Sequence, residues 1–258
     1  MPEIQLGGIT MRYHTRGSGS PLIFLHGMGG SSAQCQGLLD PMKDVCQILP
    51  DLRGHGKTEL GPAEALSFAA MAEDVAGLWQ SLGLKRVVLG GISMGAAVAV
   101  AAALRFPQQV EKLILLRPAW TDAPMAEEVQ SWYRALAAAL REKTPAALKA
   151  DPVFSQIQRH ADTAAIFLNA FQDRASLRWP EKYELLPPQR PVNALAQLQA
   201  LHMPGLILAD QGDPIHLFQY AEQYAAALPN SILLEVPPKG SEFLSYRAAV
   251  NRALRDFL

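Results

Sequence analysis

Short apolar runs alternate with longer amphipathic segments along most of the chain. Such near-continuous apolar runs are typical of strands that are buried on both faces of a parallel sheet. They predict strands at residues 21–27, 45–50, 86–92, 112–116, 205–210 and 232–236. The segments between them have helical spacing at residues 67–82, 94–105 and 215–227. This alternation predicts a doubly wound α/β fold with a mostly parallel sheet flanked by helices.

Two regions depart from this alternation. The opening IQLGGITMRYHTRG predicts an antiparallel hairpin that turns at Gly7 and Gly8. From about Pro118 to Leu201 no convincing strand occurs, and helical patterns are separated by prolines. We therefore expect an all-helical insertion over the carboxyl edge of the sheet, where ligands bind in folds of this kind.

Composition narrows the functional classes. The 258 residues are 49% hydrophobic and 18% charged, with a net charge of -1, which predicts a well-packed protein and no nucleic-acid partner. The sequence has two cysteines and no metal-ligand, nucleotide or flavin motif, so no metal and no cofactor are expected. We see no signal peptide and no apolar segment long enough to span a membrane, and we expect a cytoplasmic protein that acts on a small molecule.

The segment Gly91-Ile92-Ser93-Met94-Gly95 lies between a predicted strand and a predicted helix. So sharp a strand-to-helix turn forces its central residue into strained backbone geometry, and the flanking glycines avoid steric clashes. The serine hydroxyl is then exposed at a helix N-terminus, where developing negative charge is favoured. We interpret Ser93 as a nucleophile; the alternative is a helix-capping serine in a glycine-rich turn.

A second loop, HGMGGS at residues 26–31, follows another predicted strand. The geometry of such sites predicts an oxyanion hole formed by the backbone amides of Met28 and Met94. Fixed backbone donors suit this purpose because they need no reorganisation during the reaction. We interpret His26 as a side chain that holds the loop by hydrogen bonds.

Four motifs share their order and spacing with a known family: HGMGG (26–30), DLRGHG (51–56), GISMG (91–95) and DQGDPIH (210–216). On these motifs the chain resembles the α/β-hydrolase superfamily, in the branch of small esterases, lactonases and C–C hydrolases with a helical cap. The resemblance implies a core formed by residues 1–117 and 201–258 and a helical cap at 118–200. It covers the core and leaves the cap unmatched.

The resemblance also implies a catalytic acid after a late strand, and Asp213 occupies that place, with Asp210 as its rival. A carboxylate there would orient a histidine and support its positive charge. The family's histidine follows the last strand, but this chain has Lys239-Gly240-Ser241 there. Ser241 or, in a different alignment, Tyr246 would occupy the position of the base, and neither side chain is a good base at neutral pH.

Other histidines are poor candidates by their position in the sequence. His216 follows Asp213 by three residues, so it lies on the acid's own loop, and we expect it not to bridge Asp213 and Ser93. His14, His160 and His202 precede the acid. The base is therefore unassigned, which leaves three explanations: a histidine that was lost, a base from an unexpected place, or a chemistry without an activated serine.

Two functions follow. The first is hydrolysis of an ester, lactone or related carbonyl compound by Ser93 and Asp213, with activity reduced by the missing base. The second is a catalytically impaired protein that binds a small apolar ligand beneath the cap. A serine at position 93 argues against haloalkane dehalogenation, which uses an aspartate in this superfamily. Arg117, after the sixth strand, either meets a substrate carboxylate or pairs with an acidic neighbour, and we favour the second.

Overall fold

The computed structural model describes residues 1–240 and 242–258. Its central feature is an eight-stranded sheet with the strand order β1-β2-β4-β3-β5-β6-β7-β8. The sheet is parallel from β4 to β8 in this order, and β2 runs antiparallel to both of its neighbours, β1 and β4. The strands are β1 (Glu3–Leu6), β2 (Ile9–Arg16), β3 (Ser20–Leu25), β4 (Val45–Pro50), β5 (Val87–Ile92), β6 (Val110–Leu116), β7 (Gly205–Ala209) and β8 (Ser231–Glu235).

Helices cover both faces of this sheet, as the near-continuous apolar runs of its inner strands require. They are α1 (Ser32–Leu38), α2 (Phe68–Ser81), α3 (Met94–Arg105), α4 (Glu127–Glu142), α5 (Pro145–Ala150), α6 (Phe154–Ile157), α7 (Ala161–Asn169), α8 (Arg174–Arg178), α9 (Lys182–Leu185), α10 (Phe218–Ala227) and α11 (Phe243–Phe257). The helices α1 and α11 pack on one face, and α2, α3 and α10 pack on the other.

The structure confirms the predicted fold class and most element positions. The hairpin turns at Gly7 and Gly8, which both have positive φ, a conformation that glycine adopts without strain. One helix differs from its prediction: α10 begins at Phe218, whereas helical spacing suggested a start at 215. Residues 215–217 are therefore loop, and this difference matters for the site.

The prediction that residues 232–236 form a buried strand needs a correction. The strand exists as β8, but it lies at the edge of the sheet, and β7 is its single partner among residues 1–240 and 242–258. Ile232 and Leu234 are 55% and 41% exposed, because α11 does not extend over this edge. An apolar run in the sequence does not distinguish a central strand from an edge strand.

Between β6 and β7 the described residues form helices and no strand. Two of these elements, Ala170–Gln172 and Leu195–Ala200, are 3₁₀ helices. We call residues 118–200 the helical insertion. Most of its large aromatic side chains pack in the core, as expected: Trp120, Trp132, Phe154, Phe167 and Phe171 are buried. In the described part of the chain no helix has the length and apolarity needed to cross a bilayer.

The helical insertion is attached to the sheet layer by buried polar contacts. Lys182 is fully buried, and its Nζ donates a hydrogen bond to the carbonyl oxygen of Gly54 at 2.9 Å. The side chain of Gln189 donates to the Leu66 carbonyl at 2.9 Å. Since an unpaired buried ammonium group is costly, the Lys182 contact fixes α9 against the loop that follows β4.

Candidate active site

Ser93 lies at the corner between β5 and α3, with φ 58° and ψ -116°. This conformation is unfavourable for a residue with a side chain and costs about 1–3 kcal/mol, which the surrounding structure must offset. The Ser93 side chain makes no capping hydrogen bond to α3. The interpretation of Ser93 as a helix cap therefore does not agree with the structure, and its hydroxyl is available to other partners.

The two glycines of the GISMG motif are required by close backbone contacts. A Cβ atom at Gly95 would lie 2.3 Å from the carbonyl oxygen of Leu25, and one at Gly91 would lie 2.3 Å from the Gly95 carbonyl carbon. Both distances are far below van der Waals contact. Glycine at these positions lets α3 start directly behind the end of β3, and this close packing keeps Ser93 at the carboxyl edge of the sheet.

The hydroxyl of Ser93 contacts a histidine that the sequence did not suggest. His216 Nε2 lies 2.8 Å from Ser93 Oγ, and His216 Nδ1 lies 3.0 Å from Asp213 Oδ2. The expectation that His216 could not bridge Asp213 and Ser93 is therefore wrong. The Nδ1 contact has the distance of an ion pair but not the alignment of a good hydrogen bond, and such contacts often tighten only when substrate is bound.

A tight turn explains how a histidine on the acid's own loop reaches the serine. Asp213 Oδ1 accepts hydrogen bonds from the backbone N–H groups of Ile215 at 2.8 Å and His216 at 2.9 Å. This side-chain turn folds residues 213–216 back on themselves, and Gly212 enables it with a φ of 81°. The His216 ring consequently lies between its own acid and Ser93.

Arg117 orients the acid from the end of β6. Its Nε donates to Asp210 Oδ1 at 2.6 Å, and its Nη2 contacts Asp213 Oδ2. Asp210 is fixed further by the backbone N–H of Lys239, 2.9 Å from its Oδ2. The structure thus confirms that Arg117 pairs with acidic neighbours, and it separates the two aspartates: Asp213 contacts the histidine and Asp210 holds the arginine.

The pKa values of this cluster are shifted in directions that suit a base and its acid. Burial lowers the pKa of His216, and the charge of Arg117 lowers it further, while Asp213 opposes both. Burial alone would raise the pKa of Asp213, but His216 and Arg117 outweigh it and hold that pKa well below its usual range. At neutral pH the imidazole is therefore uncharged and can accept a proton beside an ionised carboxylate.

The loop after β3 is held by His26, as the sequence suggested. The N–H of Leu52 donates to His26 Nε2 at 2.9 Å, so the ring proton is on Nδ1, which donates to the Gly27 carbonyl at 2.8 Å. The N–H of Gly30 donates to the same carbonyl at 2.9 Å. Because the Gly27 carbonyl and the Met28 N–H belong to one peptide unit, these bonds fix the direction of the Met28 N–H.

The amides of Met28 and Met94 have no hydrogen-bond partner within residues 1–240 and 242–258. Met94 is the first residue of α3, where an unpaired N–H at the positive end of the helix attracts negative charge. The loop that carries Met28 passes next to the serine, since a Cβ at Gly27 would lie 3.4 Å from Ser93 Cβ. This arrangement leaves two fixed donors available near Ser93.

Neither residue suggested for the position of the base is found beside Ser93 among the described residues. Ser241 lies outside the described residues. Tyr246 is fully buried on α11 among core side chains, burial raises its pKa, and its hydroxyl has no hydrogen-bond partner among the described residues. This placement agrees with the packing interpretation of Tyr246. His160 packs against the ring of Trp132 in the helical insertion, away from the serine.

Two cavities adjoin the site. One of about 180 Å³ lies between Met28 and the helical insertion and is lined mainly by Tyr133, Phe167 and Tyr183. Another of about 250 Å³ lies near Arg117, Lys239 and Phe243. A larger cavity of about 500 Å³ is at the opposite end of the strands beside Ser20 and Val45, so size alone does not locate the site.

The described residues contain no group of three or more His, Cys, Asp or Glu side chains that could hold a metal ion. The groups that the site brings together are a serine hydroxyl, an imidazole, a carboxylate and two backbone amides.

Comparison with known proteins agrees with the fold described above. The family model described as the alpha/beta hydrolase fold matches residues 20–246. The AB hydrolase superfamily protein YisY of Bacillus subtilis (strain 168) is 28% identical over 261 residues, which cover 96% of this chain and 95% of that protein. The structure of a thermophilic esterase from Thermogutta terrifontis is 26% identical and has a TM-score of 0.71, with 96% of this chain and 94% of that chain covered.

Other relatives match only in part. The uncharacterized protein Rv2715 of Mycobacterium tuberculosis (strain ATCC 25618 / H37Rv) is 34% identical over 110 residues. The matched segment covers 42% of this chain and 32% of that protein, so the chain spans about a third of the length of this relative.

Proposed function

The chain belongs to the alpha/beta hydrolase fold family, and from this premise we propose that it is a serine hydrolase of small esters or lactones. The observation that carries the proposal is the 2.8 Å contact between Ser93 Oγ and His216 Nε2, with Asp213 on the other side of the imidazole ring. The three side chains have the order that nucleophilic catalysis by serine requires.

In the first half of the reaction, Ser93 Oγ attacks the carbonyl carbon of the substrate while His216 Nε2 takes the hydroxyl proton. The carbonyl electron pair moves to oxygen, and the amides of Met28 and Met94 stabilise the resulting oxyanion. Asp213 keeps the ring oriented and stabilises the imidazolium ion without becoming protonated. The tetrahedral intermediate then expels the alkoxide, which takes the proton from His216 and leaves an acyl group on Ser93.

In the second half, a water molecule gives a proton to His216 Nε2 and attacks the acyl carbon. A second tetrahedral intermediate forms at the same donors and collapses with release of the carboxylic acid. The proton returns from His216 to Ser93 Oγ, which restores the enzyme. In a lactone, the alkoxide and the acyl group belong to one molecule, so the product is a hydroxy acid.

Residues 118–200 act in this proposal as a cap over Ser93. The two cavities beside the site hold about 180 and 250 Å³, below the usual range for drug-sized ligands, which favours a small substrate. The Thermogutta terrifontis relative is described as an esterase, which supports the choice of an ester or a related carbonyl compound.

The alternative, a protein that only binds a ligand, rested on the missing histidine. The contact of His216 with Ser93 removes that argument, because a neutral imidazole is within hydrogen-bond distance of the hydroxyl. We therefore retain the hydrolase as the single proposal.

A fluorophosphonate probe tests this proposal, because it phosphonylates an activated serine far faster than an ordinary hydroxyl. We expect labelling at Ser93, located by mass spectrometry of peptides, and hydrolysis of p-nitrophenyl acetate by the same preparation. Both signals should disappear in Ser93→Ala. A matched control is Ser245→Ala, an exposed serine on α11. Labelling elsewhere in the chain, or hydrolysis that survives in Ser93→Ala, would contradict the proposal.

A further inference from the structure

Two consecutive residues of α9 connect the helical insertion to the loop at residues 26–30, which we call the Met28 loop. Tyr183 contacts this loop directly. A Cβ atom at Gly29 would lie 2.5 Å from the Tyr183 hydroxyl oxygen, so the hydroxyl occupies the space that a side chain at position 29 would take. Gly29 has a φ of 75°, a conformation that glycine adopts without strain. The Tyr183 hydroxyl therefore packs against the residue that follows Met28.

A chain of hydrogen bonds within the helical insertion fixes the Tyr183 hydroxyl. Asp173 Oδ2 accepts hydrogen bonds from the N–H and the hydroxyl of Ser176, each at 2.7 Å. Since the single hydroxyl proton of Ser176 goes to this carboxylate, the tyrosine is the donor in the 2.7 Å contact between Tyr183 Oη and Ser176 Oγ. Ser176 and Tyr183 are 0% and 2% exposed, so this bond is shielded from solvent. Tyr183 consequently has no proton left for a substrate oxygen.

Lys182, the preceding residue, reaches the same loop by a second route. Its hydrogen bond to the Gly54 carbonyl fixes the turn that follows β4. His55 lies in that turn, and the centroid of its ring is 5.1 Å from that of the His26 ring. His26 in turn donates a hydrogen bond within the Met28 loop. The loop is thus held by His26 at its beginning and by Tyr183 beyond the donor residue, and both routes lead to α9.

We propose that Tyr183 is a positioning residue for the hydrolysis. Together with Asp173 and Ser176 it holds the Met28 loop in the geometry that directs the Met28 N–H toward the oxyanion. The inference rests on the proposed function, because it concerns one of the two oxyanion donors. It gives the helical insertion a part in the reaction besides covering Ser93, since the insertion fixes one side of the oxyanion hole.

The composition of the Met28 loop explains why it needs this support. Gly29 and Gly30 directly follow the donor, and glycine loses more conformational freedom on folding than any other residue. An oxyanion donor is effective when its direction is fixed before the reaction, and a misplacement of about 1 Å can lower the rate about 10²-fold. The buried Tyr183 side chain, itself held by Ser176, supplies a rigid wall on the side of the two glycines.

A substrate with sulfur in place of the carbonyl oxygen separates the positioning of the donors from general damage. Tyr183→Phe keeps the aromatic ring at the 180 Å³ cavity and removes the hydroxyl. With p-nitrophenyl acetate we expect kcat to fall about 10- to 100-fold at an unchanged KM, since the lost support acts in the transition state. With O-p-nitrophenyl thionoacetate, measured with enzyme in excess, the rate should fall less than about threefold, because sulfur is a weak acceptor. Equal losses with both substrates, or no loss with either, overturn the proposal.

Ser176→Ala distinguishes positioning from direct contact with the oxyanion. A tyrosine that donated to the substrate itself would be freed by this change and would keep the rate high. We expect Ser176→Ala to lower the acetate rate and to spare the thionoacetate rate, as Tyr183→Phe does. The double variant Ser176→Ala/Tyr183→Phe should lose no more than Tyr183→Phe alone, because the two side chains act as one unit. A wild-type rate in Ser176→Ala, or losses that add in the double variant, overturn the proposal.

The matched control is Tyr224→Phe, which removes the hydroxyl of a 1% exposed tyrosine on α10. That hydroxyl has no hydrogen-bond partner within residues 1–240 and 242–258, so both substrates should react at wild-type rates. Ser93→Ala separates this inference from the proposed function. Hydrolysis that survives in Ser93→Ala overturns both, whereas hydrolysis that requires Ser93 but is equal in Tyr183→Phe and Tyr224→Phe overturns the positioning role alone.

Discussion

The arginine at the end of β6 offers a sharp test of how this site is organised. Arg117 is 5% exposed and contacts two carboxylates, Asp210 and Asp213, which are 3% and 18% exposed. In Arg117→Met both carboxylates lose their cation. Removal of one partner from a buried ion pair costs about 3–5 kcal/mol, a substantial part of the roughly 5–15 kcal/mol that stabilises a typical domain. We expect a loss of this size in the free energy of unfolding, measured by chemical denaturation.

A stability loss alone does not show a role in the reaction, so the informative quantity is the pH dependence of kcat/KM. The Arg117 charge lowers the pKa of His216, and Lys239 acts in the same direction, while Asp213 raises it. Without Arg117, the pKa of His216 rises and Asp213 is left to pair with the imidazolium alone. The acid limb of the profile reports the base of the free enzyme, so it should move to higher pH in Arg117→Met.

The matched control is Arg53→Met. Arg53 forms a comparably buried pair, with Nε and Nη2 2.8 and 2.7 Å from the carboxylate of Asp74, and it lies on the α2 side. Its loss should cost a similar free energy of unfolding but leave the acid limb at its wild-type position. The reasoning is refuted if both variants shift the acid limb equally, or if Arg117→Met leaves it unchanged.

Three further outcomes are expected. Asp213→Asn should lower kcat about 10⁴-fold, because an amide cannot stabilise the imidazolium ion or keep the histidine in the correct tautomer. Stopped-flow assays with p-nitrophenyl acetate measure this loss. A loss of kcat below tenfold would count against Asp213 as the catalytic acid. Gly95→Ala should lower the free energy of unfolding by about 3 kcal/mol, because the new Cβ meets backbone atoms. Gly37→Ala places its Cβ in open space on α1 and should raise the free energy of unfolding by about 0.4–1 kcal/mol. Equal melting temperatures for the two variants would contradict the packing argument. Burial lowers the pKa of Lys182 to about 8, so the unfolded chain binds this proton more tightly than the folded chain does. The free energy of unfolding of the wild type should therefore rise relative to that of Lys182→Met between about pH 8 and the ordinary lysine pKa. Denaturation curves that give the same difference in unfolding free energy at pH 7 and at pH 10 would disprove the shift.

Most of the fold follows from local sequence patterns. Buried strands such as β5 and β6 are continuous apolar runs, and the hairpin is marked by the glycine pair at positions 7 and 8, so both were predictable. The turn at Ser93 was equally visible, because the GISMG motif lies between a predicted strand and a predicted helix. Each of these features is marked by residues that are neighbours in the sequence, although the contact that requires Gly95 comes from β3.

The base was not predictable in this way, because its position depends on the detailed path of one loop. Spacing suggested that α10 begins at residue 215, which would have pointed His216 along the helix. The backbone N–H groups of Ile215 and His216 donate hydrogen bonds to Asp213, and this turn delays the start of the helix to Phe218 and brings the His216 ring back toward Ser93. The one available signal was Asp213-Pro-Ile-His216 itself, in which an aspartate that favours tight turns is followed closely by a histidine.

The partners of Arg117 could not be identified from the sequence, because they depend on how two strands are aligned. The sequence suggested an acidic neighbour, but the identity of both carboxylates follows from the pairing of β6 with β7, in which the N–H of Arg117 donates to the Leu208 carbonyl. The exposure of β8 likewise depends on how far α11 extends over the sheet. The sequence of the strand itself gives no information about this.

The central claim is that His216 serves as the base from the loop of its own acid, and the rate at which Ser93 becomes acylated tests it most directly. With enzyme in excess over p-nitrophenyl acetate, the first-order release of nitrophenolate measures that step. We predict a rate about 10⁴- to 10⁶-fold lower in His216→Gln than in the wild type, and an unchanged rate in His202→Gln, an exposed histidine elsewhere. Acylation of His216→Gln at the wild-type rate would contradict the account.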